Sequence, residues 1–507
     1  MQKAVPFGTS VPALRQECVP AARDWAYFLL AVLAILIIAT RIPLLPKYLY
    51  YFDSVNFALA LEEFNPAKHQ PQPPGYPGFV LLARAIYVVF PAPEIALGLA
   101  GLAAAVVALG LTWRTAQSMF GPEAGILAAT LLALNPSFWF GGVTNEVRLC
   151  LALNSAAVGL ICWHALQRPA SRAWFFAACA IPGLLAVFRP VETVLLLPLV
   201  LFVWWRTRRT VADLLVGAVL TLAAALPWVA FTIDSCGGLR PAIDLMRSYG
   251  QSQFHSSSLL FGAPLGGAIL MAKQAIVWNG TGAIAWIWAV PFARRIPNVA
   301  FLAVWFLPGF LFSALVHIGD PDQALLTIPV LCIAGGAILQ TVLRAFDLPR
   351  LTATMVWILA ANTVLFVLPP GRIARAASFN AVHSIDQRMQ SVFVSIRELS
   401  AGGNTVALLH YGGIVTWRHL FYYFPQHRVT YLPTEQNEPC MTLFRRDLED
   451  NQHCATQLAP AHRYILLAPH LNPDWLLQNG WHRHGLIYWR DAAPNLKLDI
   501  GPYHLRS

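Results

Sequence analysis

Apolar stretches of roughly 15 to 23 residues recur along most of this chain, parted by short polar links, and no soluble core absorbs so many. They run over 25–42, 94–116, 122–140, 149–166, 173–188, 191–205, 211–232, 274–293, 298–316, 324–343 and 351–368. The expected fold class is a polytopic α-helical membrane protein of about 11 transmembrane helices. Charged residues make up only 12% of the 507, against about 25% in soluble domains, which agrees. A net charge of +10 would suit a nucleic-acid binder, but Lys and Arg stand singly or in threes between apolar runs. Topology accounts for that placement, and nucleic acid is set aside. Residues 1–24 read as a polar cytoplasmic segment, and 25–42 as an uncleaved anchor, since no small-residue cleavage site follows it. The dozen apolar residues at 79–90 are short for spanning and are expected to lie at the interface.

Arg114, Arg168, Arg172, the 206–209 cluster, Arg294, Arg295, Arg344 and Arg350 fall in alternate links. The positive-inside bias places those links in the cytoplasm, with the 43–78 loop and the C-terminal tail outside. From about 370 the composition changes. Segments NTVALLHY, HRVTYLP and RYILLAP read as strands, and GGIVTWRHLFYYF as helix, so residues 371–507 are expected to form a small extracytoplasmic α/β domain. Its histidines (His410, His419, His427, His453, His462, His470, His482 and His484) match no metal spacing and read as solvated surface groups. Cys440 and Cys454 are the one pair suited to a disulfide in an oxidising compartment.

Chemistry is concentrated in the outer links. Asp53, in an aromatic setting, can cap the helix SVNFALALEEF or serve as a general base whose pKa partial burial raises. Glu146, in NEVR, can be a first-turn helix acid or the second of two acids facing one cavity. Arg189, in FRPVE, can pair with Glu192 or meet a phosphate; Arg148 and His317 lie at the same face and could join that pocket.

Together these features resemble the GT-C superfamily of membrane glycosyltransferases, its protein O-mannosyltransferase-like and aminoarabinose-transferase-like branch. The resemblance rests on YFDSVNFALAL with HQPQPPGYPGFVLL, on NPSFWFGGVTNEV, on AVFRPVE with LLLP, and on HIGDPDQALLTIPVLCIAGG. It extends over residues 25–370 and implies a catalytic transmembrane domain there, with the tail unmatched. It implies transfer of a sugar from a polyprenyl-phosphate donor to a lipid, glycan or protein acceptor outside the cytoplasm. It assigns the base to Asp53 and a second acid to Glu146. His69 and Tyr76 of the loop motif, with Arg148, Arg189 and His317, would then bind substrate. No cofactor is required by it; a divalent metal is one option, although Asn145-Glu146 lacks a paired-acid signature. A bacterial inner membrane is the expected location. The competing readings are a lipid or glycolipid flippase, which would need polar groups at mid-membrane, and a scaffold displaying the outer domain.

Overall fold

The computed structural model describes residues 21–255, 258, 261–293, 296–343, 348–401, 405–434, 441–446, 452–455, 457–493 and 496–506. The first long helix is α1 (Ala21–Arg41). The loop after it carries α2 (Phe52–Glu62) and α3 (Pro77–Tyr87). The bundle continues with α4 (Pro93–Phe120), α5 (Pro122–Ala133), α6 (Pro136–Gly141), α7 (Leu149–Gln167), α8 (Arg172–Leu185), α9 (Pro190–Val194) and α10 (Leu197–Arg206). It closes with α11 (Val211–Ser235), α12 (Leu239–His255), α13 (Leu265–Gly280), α14 (Val299–Leu315), α15 (Ile328–Leu343) and α16 (Leu348–Val367).

Proline does much of the segmenting. α3 to α6, α9 and α10 each open with proline at the first or second position, where its missing N–H is no loss. Three expected spans are thereby corrected. The 122–140 stretch is cut at Asn135, whose side chain caps α6 by accepting from the Ser137 and Phe138 amides. The 191–205 stretch is divided between α9 and α10, and 274–293 passes from α13 into short 3-10 turns at Thr281–Ala285 and Ile287–Phe292. Among the described residues, helices α1, α4, α7, α11 and α16 are long and apolar enough to cross a bilayer, with shorter apolar helices among them. The chain is an integral membrane protein.

Within the bundle, position divides the helices. The apolar window of α7 is 78% buried and that of α11 only 6%. α7 is therefore an interior helix, and α11 turns most of its surface outward. α11 is held chiefly by α8: Gly183 and Gly217 let the two backbones meet, Thr221 Oγ1 donates to the Cys179 carbonyl at 2.6 Å, and Trp228 Nε1 donates to the Gly183 carbonyl at 3.0 Å.

After α17 (Gly371–Ala374), the amphipathic α18 (Phe379–Ser400) leads into the C-terminal sheet. Its strands are β1 (Val406–His410), β2 (Arg428–Tyr431), β3 (Met441–Phe444), β4 (Gln452–Ala455), β5 (Arg463–Leu467), β6 (His482–His484) and β7 (Ile487–Asp491), in the order β4-β3-β2-β1-β5-β7-β6. β1 pairs in parallel with β2 and β5; the outer pairings are antiparallel. Two short helices, α19 (Trp417–Tyr423) and α20 (Pro473–Gln478), and the hairpin of β8 (Lys497–Ile500) and β9 (Tyr503–Arg506) complete the domain. Strand alternation sends Leu408, Val429 and Ile465 into the same core as α18, α19 and the bundle, while Ala407, Leu409 and Leu466 build a second core below. The sheet is thus seated on the membrane part by one whole face.

One expectation about this domain changes and another is left untouched. His410 and His419 are buried, His419 completely, and burial pushes both imidazoles down to about 4. Neutral His419 bonds the Leu49 carbonyl through Nε2 at 2.9 Å, fastening the domain to the first loop. The Cys440 and Cys454 side chains lie outside the described residues.

Candidate active site

At the start of α2 the helix begins one residue before the acid expected to cap it. Tyr51 takes the N-cap position, and its amide donates to Ser54 Oγ at 3.1 Å; Ser54 Oγ in turn donates to the Thr144 carbonyl at 2.9 Å. Asp53 is left in the first turn with no capping bond, where the positive helix end favours a carboxylate. Its side chain, 27% exposed, enters the wall of a cavity of about 370 Å³.

Arg148 lies against Asp53 in the same wall and gathers four acids from three loops. Its Nε bonds Glu146 Oε2 at 2.7 Å and lies 3.7 Å from Asp322 Oδ1; its Nη2 is 3.3 Å from Asp320 Oδ2 and 3.9 Å from Asp53 Oδ2. Thr144 Oγ1 donates to Asp322 Oδ2 at 3.2 Å. One guanidinium among four carboxyls does not balance them. Burial raises Glu146 well above the usual range and pushes Asp322 up to about 6, each against the pull of Arg148. Asp53 is raised for the same first reason, with Arg148 opposing and Asp320 reinforcing. Burial alone would lower Arg148; Glu146 and the other acids more than reverse it, so its cation is secure.

Arg189 meets both of its sequence readings. It pairs with Glu192, and it also lines the cavity, its guanidinium 5.0 Å from the Tyr76 ring centre. Burial would lower it, but Glu192 and Tyr76 hold it up as a cation. Tyr76 follows Gly75 in the proline loop, both with positive φ (48° and 106°). A Cβ on Gly75 would crowd Phe64 and Pro66 at 3.1 Å, so glycine is required at that turn. His317 lines the cavity and burial lowers its pKa, favouring the neutral ring.

The fold thus brings Asp53, Tyr76, Arg148, Arg189 and His317 to one cavity. Glu146 is buried behind Arg148, out of the wall, bonded to that guanidinium and close enough to Asp53 for the two carboxyls to repel. His69 also stays out of the wall; its ring meets Tyr249 edge-on at 5.9 Å, and Tyr249 does line the cavity. Sequence reasoning missed Asp320, Asp322 and Tyr249. The signal for the first two was present in GDPDQ, where Pro321 opens a 3-10 turn and Asp322 is entirely buried.

A second cavity of about 320 Å³, almost wholly apolar, adjoins the first through Pro74 and Met246 and is walled by Trp228, Val229 and Ile233 of α11. As for metal, no group of three or more His, Cys, Asp or Glu side chains among the described residues is placed to hold an ion. The Arg148 guanidinium already fills the space among the carboxylates, so these residues do not fit a divalent cation, and no step below passes through one.

Comparison with known proteins bears on the fold. The family described as dolichyl-phosphate-mannose-protein mannosyltransferase matches residues 70–231. The crystal structure of ArnT from Cupriavidus metallidurans bound to undecaprenyl phosphate is similar with a TM-score of 0.56 at 14% identity, covering 92% of this chain and 97% of that one. Its apo form gives 0.55 at 15% identity, with 92% and 98% covered. The apo oligosaccharyltransferase of Archaeoglobus fulgidus gives 0.44 at 14% identity, over 82% of this chain and 65% of that one. No curated protein matches the sequence. The superfamily resemblance read from the loop motifs holds: the chain has the fold of the GT-C membrane glycosyltransferases.

Proposed function

We propose that this protein is an inverting glycosyltransferase that moves a hexose or pentose from a polyprenyl-phosphate donor to an acceptor hydroxyl at the non-cytoplasmic face of the membrane, with Asp53 as general base. The observation that carries the reading is a carboxylate free of capping duty, in a cavity shared with a buried arginine and opening beside an apolar groove. ArnT, similar in fold, was crystallised with undecaprenyl phosphate, a carrier of this class.

The chemistry follows from the arrangement. Asp53 takes the proton of the acceptor hydroxyl, whose oxygen attacks the anomeric carbon on the face away from the phosphate. The carbon–oxygen bond to phosphate breaks, and the electron pair leaves with the polyprenyl phosphate. A raised carboxyl pKa suits a base that must hold the proton it accepts. Negative charge growing on the phosphate needs a preorganised cation, and Arg189 is that cation, with His317 beside it. Arg148 is committed to its acids and serves to hold Asp53 ionisable rather than to bind phosphate. Each buried CH₂ of the carrier in the groove contributes about 0.8 kcal/mol to its retention.

The positive-inside bias of the exposed arginines at the opposite end of the bundle supports a cytoplasmic position for that end, with the cavity and the sheet domain outside; the membrane proposed is a bacterial inner membrane. Lipid, glycan and protein remain open as acceptor classes. A flippase would place ionisable groups along the middle of the bundle; here the paired acids and arginines of the cavity gather at one end of it.

The test is Asp53→Asn, assayed as release of undecaprenyl phosphate from a panel of undecaprenyl-phosphate-linked pentoses and hexoses. Turnover should fall about 10²- to 10⁴-fold with undecaprenyl phosphate binding unchanged. Full turnover in that variant removes the base; carrier movement across vesicles without sugar transfer removes the enzyme.

A further inference from the structure

The sheet domain reaches the cavity through one side chain. Arg418, on the buried face of α19, is only 6% exposed. Its Nε donates to Asn56 Oδ1 at 2.9 Å, and its Nη2 donates to the Lys68 and His69 carbonyls at 3.0 and 3.2 Å. The guanidinium also lies 5.4 and 5.3 Å from the Trp417 and Phe421 ring centres. Among the described residues it makes no ion pair. Burying a cation against neutral acceptors alone is unfavourable, and burial draws its pKa down to about 10. An arrangement so unfavourable to stability calls for another role.

Asn56 supplies it. Its amide is asymmetric: one end accepts, the other donates. Arg418 is a donor only, so it fixes Asn56 Oδ1 toward itself and turns Nδ2 the other way, where it donates to Asp53 Oδ1 at 3.5 Å. Without Arg418 the amide is free to reverse and present oxygen to the carboxylate. The same guanidinium pins the carbonyls just before Pro73, Pro74 and Tyr76, which line the cavity.

We infer that Arg418 is a positioning residue through which the C-terminal domain orients Asp53 and holds the 66–76 loop, making that domain part of the catalytic unit and not an appendage. The inference rests on the reading of Asp53 as base. Asp53 is also faced by Arg148, Asp320, Arg189, Glu146, Tyr76 and Tyr249. Of these, Tyr76 lies in the loop that Arg418 holds, so Asn56→Leu, which leaves the Lys68 and His69 carbonyls bonded to Arg418, separates the Asn56 link from loop movement in an altered pH profile.

The experiment compares Arg418→Met, Arg418→Lys and, as a control on the same interface, Arg446→Met. Arg446 holds exposed Glu62 of α2 at 2.6 Å and touches no cavity residue. With the undecaprenyl-phosphate-linked sugar that the wild type turns over, Arg418→Met should lower kcat about 10- to 100-fold with donor KM within about threefold. The acid limb of its kcat–pH profile should move upward, because Asp53 loses a donor to its charged form. Arg418→Lys should recover part of the loss, and Arg446→Met should stay within about twofold of wild type. Hydrogen exchange over residues 65–76 should quicken in Arg418→Met, a readout that needs no substrate. Should Arg418→Met fail to accumulate, Asn56→Leu severs the same link and should give the same kcat loss and pH shift. Wild-type kcat in Arg418→Met, an equal loss in Arg446→Met, or unchanged exchange of the loop overturns the inference while the base reading stands. Full turnover in Asp53→Asn with loss in Arg418→Met overturns both.

Discussion

The two ends of the bundle both carry arginine, and they carry it in opposite states. At one end Arg172 is 68% exposed and reaches Asp213 at 3.3 Å, and Arg206 and Arg208 stand in the open. At the other, Arg148 and Arg189 are 5% and 4% exposed and each is tied to carboxylates. Exposed cations near a bilayer are positioned by topology and give little to stability. Buried ones are unfavourable unless their surroundings compensate, and Arg148 and Arg189 both border a cavity. The difference teaches that the exposed arginines follow the membrane, while these two are buried where charge meets the cavity; Arg41, fully buried on the Ala133 carbonyl and outside that wall, is a structural case of its own.

The sharpest way to break that contrast is Arg148→Met. It leaves Glu146 and Asp322 buried without a cation and should destabilise the folded protein by about 3–5 kcal/mol, read as a fall in thermal midpoint in detergent. A mild effect would put Arg148 in the same class as the surface arginines. Next comes Arg189→Met, expected to lower turnover about 10²- to 10³-fold with a smaller change in donor binding, since it acts on charge that grows in the transition state. A loss confined to KM would make Arg189 a binding group only.

Asp322→Asn sharpens the comparison through pH. The folded carboxyl sits near 6, above the ordinary 3.8, so its contribution favours the folded state below about 3.8 and is lost as pH rises through about 6. Thermal stability should therefore decline between pH 4 and about 7 in the wild type and decline less in Asp322→Asn, which keeps an acceptor for Thr144. An identical slope in both would assign the dependence elsewhere. The smallest expected effect is at the opposite end: Arg172→Ala should shift stability by about 0–1 kcal/mol and leave transfer untouched.

How far the sequence can be read follows the same division. The apolar stretches announce the bundle because lipid demands them, yet Asn135-Pro136 and Pro198 stand at breaks in stretches that hydropathy alone joins. Asp53 is legible from its aromatic loop, but its freedom from capping is not, since the helix start depends on Ser54 meeting Thr144 across 90 residues. GDPDQ shows its acids, but not their partner: 172 residues separate Asp320 from Arg148, and only the packed bundle joins them. α12 escaped because LRPAIDLMRSYGQSQFH is polar overall and reads as a loop. In the tail, β1, β2 and β5 are plain as central apolar strands. β3, β4, β6, β8 and β9 are brief, and β7 (IYWRD) ends in two charges, so these stand out less.

Gly183 gives the contact between α8 and α11 a consequence at a distance. A methyl group there would strike the Thr221 carbonyl, which belongs to rigid backbone, so relief comes only by pushing α11 away as a rod. Trp228, Val229 and Thr232, which form one side of the greasy recess, would travel with it. The gape of that recess is accordingly set by a residue outside its wall, and a missing side chain works there as a spacer of zero thickness.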